Sequence, residues 1–296
     1  MIGKSFVKSV VKDLLKLASI ELPSDVKEAL RAAYEREVEV LPKMQLKAIL
    51  DNIELAEKTG TPLCQDTGVH VVYVKLGCVE VEGLEDAIRE GVAEATASIP
   101  LRPNAVHPLT RKNPGTNVGL KMPYIYIEKI KDSFLEITVM PKGAGSENMS
   151  ALAMLTPAAG LKGVKEFILQ TVIKAGGQPC PPGILGVGIG GTADVAMKLA
   201  KEALLRPLGS RNPDPEVAKL EEELLESLNG LGIGPMGLGG KTTLLGVNIE
   251  VAYTHTASLP VAVNYQCWAA RRATARIYPD GRVEFTSHKG GEKGVG

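Results

Sequence analysis

Glycine and proline constrain this chain most. Its 296 residues include 32 glycines and 19 prolines, and beyond Lys58 they cut the sequence into short apolar runs separated by Gly- or Pro-rich turns. Clustered glycine points to backbone that approaches something closely. The runs between the clusters alternate between strand-like and helix-like patterns. This predicts an α/β (α+β) fold, in which a helical N-terminal segment precedes mixed sheets flanked by helices, as two lobes sharing one core. Residues 1–288 read as a single domain and 289–296 as a flexible tail.

The first stretch, from Ser5 to Lys58, is helical. Val7, Val10, Val11, Leu14, Leu15 and Ala18 recur at i, i+3, i+4 and i+7. A second helix restarts at Ser24 or Asp25 as its cap, and a third runs from Pro42 to Glu57. Val69–Leu76 is strand-like and Gly83–Ser98 helical. Pro100–Pro123 has no apolar periodicity, and a loop of that length inside a compact domain is often functional. Tyr124–Glu128 and Phe134–Met140 read as the two strands of a hairpin, followed by a Gly-rich turn over Pro141–Asn148. Helices are expected over Leu161–Ala175, Thr192–Leu205 and Pro215–Asn229. Ile184–Ile189, Leu244–Ala252 and Leu259–Val263 are apolar runs, and Arg276–Phe285 reads as a closing hairpin around Pro279-Asp280-Gly281.

The formal net charge is zero, which argues against a nucleic-acid surface. No apolar run is long enough to span a bilayer. Lys4–Leu17 mixes lysine with apolar residues, but Asp13 interrupts it and no small-residue cleavage site follows. It therefore reads as an amphipathic helix rather than a targeting segment, and the expected compartment is the cytoplasm. Aromatic residues are only 4% of the chain, so the core must rely on aliphatic side chains.

The four cysteines are Cys64, Cys78, Cys180 and Cys267. Without a secretory signal, metal or catalytic roles are more plausible than disulfides. Cys64, Cys180 and Cys267 each lie at the end of an apolar segment beside Gly, Pro or polar residues, as thiolate ligands do. Cys78 lies in a strand end, Val74–Val79, where a thiol behaves as a small hydrophobe. The spacing matches neither ferredoxin nor a structural zinc site. By composition alone, three buried thiols is the plainer reading. Three thiolates nevertheless have a distinct chemical use. A [4Fe–4S] cluster held by three leaves one iron open as a Lewis acid, which makes a hydroxyl a better leaving group.

Other residues suit a dianionic substrate. Arg102 and Arg111 lie in the long irregular loop, and a guanidinium is a good carboxylate clamp. Gly143, Gly145, Ser146 and Asn148 form a turn whose amides can cradle an anion. His255 can serve as a hydrogen-bond donor or acid/base group, and Asp66 can handle a proton or orient a group that does. Each of these also has a plain structural reading. Gly186-x-Gly188-x-x-Gly191 has the form of the dinucleotide fingerprint, but a helix continues where the acidic residue is expected. Gly239-Gly240-Lys241-Thr242 has part of a Walker A loop, but Pro235 stands where its first glycine belongs.

Taken together, five segments resemble the iron–sulfur-dependent (class I) fumarate hydratases and the related L-tartrate dehydratases. They are Pro62-Leu63-Cys64-Gln65-Asp66-Thr67-Gly68, Lys142-Gly143-Ala144-Gly145-Ser146-Glu147-Asn148, Gly177-Gln178-Pro179-Cys180, Gly237–Thr243, and His255 followed by Leu259-Pro260 and Cys267. They occur in the family's order. The resemblance implies a hydro-lyase that hydrates fumarate to malate reversibly, with L-tartrate as the alternative substrate. It implies that Cys64, Cys180 and Cys267 bind a [4Fe–4S] cluster, that Asp66 and His255 are catalytic, and that Gln65, Arg102 and Gly145 line the substrate site. Gly143, Ser146, Asn148 and Lys241 match the motifs and are the remaining substrate-binding candidates.

Full-length members of that family carry a second, C-terminal domain with further substrate clamps and the group thought to act as base. This sequence resembles the alpha subunit of the two-subunit form. The expected partner is a beta subunit carrying the second catalytic domain, in a hetero-oligomer, or in a homodimer of alpha chains. Neither nucleic acid nor membrane is expected as a partner. The rival readings are a nucleotide-binding protein using the Gly186 loop and an iron–sulfur sensor.

Overall fold

The computed structural model describes residues 1–288; the tail 289–296 expected to be flexible lies outside the described residues. In chain order the helices and strands begin with α1 (Lys4–Ile20), α2 (Ser24–Arg36), α3 (Val40–Thr59), β1 (Val69–Leu76) and α4 (Leu84–Ser98). Next come β2 (Tyr124–Lys129), β3 (Leu135–Lys142), α5 (Ala144–Glu147), β4 (Ala151–Leu155), α6 (Gly160–Ala175) and β5 (Gly183–Gly190). The chain closes with α7 (Ala193–Ala203), α8 (Pro215–Asn229), β6 (Leu244–Ala252), β7 (Leu259–Gln266), β8 (Ala273–Ile277) and β9 (Val283–Phe285). Helices and two mixed sheets make this an α/β fold. Among the described residues no helix is long and apolar enough to cross a membrane.

The chain gathers into two compact units. The first comprises residues 1–24, 52–143 and 271 onward, and the second 25–51 and 144–270. The first is built on a sheet of order β2-β1-β3-β8-β9, in which β1 and β2 are parallel and the other pairs antiparallel. The α1 periodicity has its expected effect. Val7, Val10, Val11, Leu14, Leu15 and Ala18 are buried and join Ile88, Val92, Val72, Ile137 and Ala275 in one apolar cluster. Gly91 lets α4 approach α1, since a Cβ there would lie 2.8 Å from the Val11 side chain. Lys4, Lys8 and Lys12 of α1 pair with Glu90 or Glu94 of α4 along the exposed rim.

The second unit has a sheet of order β4-β7-β5-β6. Strand β5 shows why the glycines are there. Leu185 and Val187 point into a cluster with Ile168 of α6, Leu224 of α8 and Val263 of β7. On the alternate face of the pleat, Gly186 and Gly188 lie against α7. A Cβ at either would sit 2.0 Å from a carbonyl oxygen of that helix, Ala200 or Ala196 respectively. The Gly186-x-Gly188-x-x-Gly191 motif is thus accounted for by strand–helix packing.

Two local expectations are corrected. The strands near 124–128 and 134–140 exist, but they do not form a hairpin, because β1 lies between them. β1 has five consecutive buried residues, whereas β2 is largely exposed. The more apolar strand takes the inner position, and β2 becomes the edge. The connection between β2 and β3 bonds to the end of β1 instead, Ile130 N–H donating to Leu76 O at 3.0 Å and Gly77 N–H to Phe134 O at 3.0 Å. The second correction concerns Cys78, expected to behave as a small hydrophobe. It is exposed, because β1 ends at Leu76 and the chain turns at Gly77 against Asp132. Strand β4, at the edge beside β7, has no counterpart in the sequence reading.

Candidate active site

In the first unit the Leu63–Gly68 segment is fixed at both ends. Leu63 N–H donates to Ser19 O at 2.9 Å, and Leu63 O accepts from Asn52 Nδ2 at 2.9 Å. Gly68 has φ +80°, and a Cβ there would meet the Lys142 backbone at 2.8 Å, so only glycine fits. Asp66 Oδ1 accepts from Gly68 N–H at 3.0 Å, turning the loop on itself, as short acidic side chains do in turns.

The long irregular segment 100–123 supplies the next partners. Asn104 Nδ2 donates to Asp66 Oδ1 (3.3 Å) and Gly68 O (3.1 Å). Arg102 N–H donates to Thr67 Oγ1 at 2.9 Å, and Arg102 O accepts from Asn117 Nδ2 at 2.9 Å. The Arg102 backbone is thereby anchored beside Asp66, while the residue itself is exposed, as is Gln65. The Cys64 thiol lies 3.6 Å from Gln65 Oε1. Gly143 is buried, and a Cβ there would lie 3.1 Å from Asp66 Oδ2 and 3.4 Å from Arg271 Nη2. Arg271 Nη1 donates to Asp66 O at 2.8 Å. Cys64, Gln65, Asp66, Arg102 and Gly143 thus lie in one neighbourhood, held about Asp66.

In the second unit the loops of Cys180 and Cys267 are joined. Trp268 N–H donates to Cys180 O at 3.1 Å. Gly183 permits the approach, since a Cβ there would fall 2.2 Å from Gln266 O and 3.6 Å from the Cys267 Cα. Cys180 itself has φ +54°, a conformation that costs a non-glycine residue about 1–3 kcal/mol and persists only where its surroundings impose it. Those surroundings include Met236 N–H, which donates to Pro181 O at 2.8 Å, and Gly177, whose Cβ would strike Met236 O at 2.9 Å. None of the four cysteines is buried or in a disulfide, so the reading of buried structural thiols does not describe them.

The segment 143–148 differs from the open turn expected. Residues 144–147 form one turn of helix, Ser146 is buried, and Asn148 N–H donates to Ala144 O at 2.9 Å. That amide is engaged within the turn. A Cβ on Gly145 would lie 3.4 Å from Gln178 O, which brings Gly145 beside the Cys180 loop. Lys241 is exposed, and its N–H donates to Glu37 Oε2 at 2.8 Å. Burial disfavours the Glu37 carboxylate, but the amides of Lys241, Glu39 and Val38 outweigh it and hold its pKa below the ordinary value. His255 is exposed in an open groove with Met154, Thr192, Tyr253 and Ser258. Its Nδ1 accepts from Ala257 N–H at 3.0 Å, so the neutral ring carries its proton on Nε2. Among the described residues no group of three or more His, Cys, Asp and Glu side chains is placed to hold a single metal ion.

Comparison with known proteins decides the family. The fumarate hydratase (Fumerase) family profile matches residues 8–276. The chain belongs to the fumarate hydratase family. As a member it is a hydro-lyase chain, and its relatives are named as alpha subunits. One, from Methanocaldococcus jannaschii and provisionally named L(+)-tartrate dehydratase subunit alpha, is 55% identical over 283 residues, covering 94% of this chain and 99% of the relative. The L(+)-tartrate dehydratase subunit alpha of Escherichia coli K12 is 36% identical over 282 residues, covering 94% and 93%. That of Shigella boydii matches to the same extent.

For this fumarate hydratase family member, the sequence reading missed the residues that hold the candidates in place. Asn104 and Arg271 hold Asp66, Glu37 holds the Lys241 loop, and Thr67 anchors Arg102. One signal is available: Arg271-Arg272 sits among the small residues of Ala269–Ala275, and a charged pair that becomes buried must find partners.

Proposed function

We propose that this chain is the alpha subunit of an iron–sulfur hydro-lyase that hydrates fumarate to malate reversibly, with Cys64, Cys180 and Cys267 as ligands of a [4Fe–4S] cluster. The donor set suits the group: three thiols, none buried or disulfide-bonded, with Cys180 in a strained backbone conformation tied to the Cys267 loop. That tie is the observation supporting the reading most directly, since strain held in place by neighbours is a mark of functional sites. When bound, the cluster supplies an open iron, a Lewis acid that polarises the substrate hydroxyl.

The chain's own residues supply the rest. Arg102, with its backbone anchored and its side chain exposed, pairs with a substrate carboxylate. Gln65 hydrogen-bonds the substrate beside Cys64, and the Gly143, Gly145, Ser146 and Asn148 turn together with Lys241 lines the anionic end. His255 donates a hydrogen bond from Nε2 to the departing hydroxyl, which leaves as water once it has taken up a proton. Asp66 orients or relays the proton taken from the adjacent carbon, and the primary base is expected on a beta-subunit partner. A reducing compartment, the cytoplasm, suits such thiolates.

The second reading, L(+)-tartrate dehydration, draws on the names of the relatives; tartrate differs by one hydroxyl. The test is turnover by the chain purified with its partner, comparing fumarate, malate and L(+)-tartrate. Preference for the fumarate–malate pair supports the first reading and preference for tartrate the second. Turnover of none of them, with the cluster present, contradicts both.

A further inference from the structure

We propose that Arg271 is a positioning residue for the reaction. By holding the carbonyl of Asp66, it sets the placement of the loop that carries Cys64, Gln65 and Asp66. The inference rests on the hydro-lyase reading, which gives that loop its role.

Four observations, all within the first unit, support it. Arg271 is 1% exposed, the largest side chain among those fully buried, and an arginine is seldom buried without a fixed task. Its Nη1 donates to the backbone carbonyl of Asp66 at 2.8 Å. This bond acts on the main chain, midway between Cys64 and Gly68. The position of Nη2 is also constrained: it lies 3.4 Å from the point a Gly143 Cβ would occupy, and Asp66 Oδ2 lies 3.1 Å from that point. Glycine at 143 therefore leaves the space that guanidinium and carboxylate share. Other groups hold the loop as well, among them Ser19 O and Asn52 Nδ2, which bond Leu63. Asn104 and Gly68 N–H hold Asp66 Oδ1, and Arg102 N–H holds Thr67. Without Arg271 the Asp66 peptide loses its charged donor, while those contacts remain.

A planar, permanently charged fork suits this task better than an ammonium. Lysine at 271 keeps the charge but has a single flexible donor group. A misplacement of about 1 Å in a catalytic constellation can cost about 100-fold in rate. Arg271 touches neither substrate nor cluster in this account, so the loss should fall on kcat rather than KM.

The experiment compares Arg271→Gln and Arg271→Lys with wild type in two ways. The first is hydrogen exchange of the full-length chain without cluster, followed in peptides over residues 63–68 and, as a control, over β6. Glutamine is expected to speed exchange at 63–68 about tenfold or more while β6 keeps its rate, with lysine intermediate. The second is turnover by the cluster-loaded chain with its partner, expressed per cluster. Glutamine is expected to lower kcat about 10- to 100-fold with KM changed less than about threefold, and lysine to restore part of it. If glutamine abolishes the thermal melting transition, the lysine variant carries both comparisons. Wild-type exchange at 63–68 and wild-type kcat per cluster in the variants that fold would overturn the inference. If wild type itself takes up a cluster but turns over no dicarboxylate, the hydro-lyase reading fails, and the exchange measurement still decides whether Arg271 fixes the loop.

Discussion

At the scale of residues, the chemistry depends on which cysteines are ligands. Replacing Cys64, Cys180 or Cys267 with serine is expected to abolish cluster absorbance after anaerobic reconstitution, whereas Cys78→Ser leaves it unchanged. Loss of the signal in Cys78→Ser would refute the assignment. A second prediction concerns His70, which is buried and whose ring nitrogens find no hydrogen-bond partner among the described residues. Burial, and then the charge of Arg271, lower its pKa from 6.5 to about 4. Between those values the unfolded chain binds a proton that the folded chain excludes. Folding stability should therefore fall as pH drops from 6.5 toward 4, by about 3 kcal/mol in all, and be complete above 6.5. Denaturant titrations across that range should show the slope in wild type and a shallower one in His70→Phe; equal slopes would assign the effect elsewhere. The candidate residues stand out in the sequence because they sit in short contiguous motifs, and the family resemblance those motifs carry gives them their expected roles. The task of Arg271 was not legible there, since its partners, Asp66 and Gly143, lie far from it in sequence.

At the scale of elements, periodicity carried most of the fold. The apolar spacing in α1 and the strand-like pattern of β1 are properties of contiguous residues, and both elements form where the sequence predicts them. Strand order is not such a property. Tyr124–Lys129 and Leu135–Lys142 are neighbours in sequence, yet β1 separates them in the sheet. The glycines of β5 were ambiguous for the same reason, because their role appears only when α7 is laid against them. Gly188→Ala should destabilise the fold by about 1–3 kcal/mol or more, because its methyl group would meet Ala196 O at 2.0 Å. Chemical denaturation measures this. A neutral substitution would mean that α7 shifts freely, and saturable nucleotide binding lost in the variant would revive the dinucleotide reading.

At the scale of the whole molecule, the family match extends over residues 8–276, so the hydro-lyase assignment does not depend on a single motif. An open iron is exposed to oxidants, and aeration is expected to remove activity that iron, sulfide and a reductant restore. Full activity after prolonged aeration would argue against a catalytic cluster. The central claim is that three thiolates of this chain hold a cluster whose open iron meets a dicarboxylate. Its most direct test is anaerobic reconstitution of the chain with its partner, recording the cluster spectrum with and without fumarate, malate and L(+)-tartrate. The account predicts a cluster signal that shifts on adding a dicarboxylate and is absent in the Cys64, Cys180 and Cys267 serine variants. A cluster that forms but ignores all three acids, or no cluster at all, would contradict it.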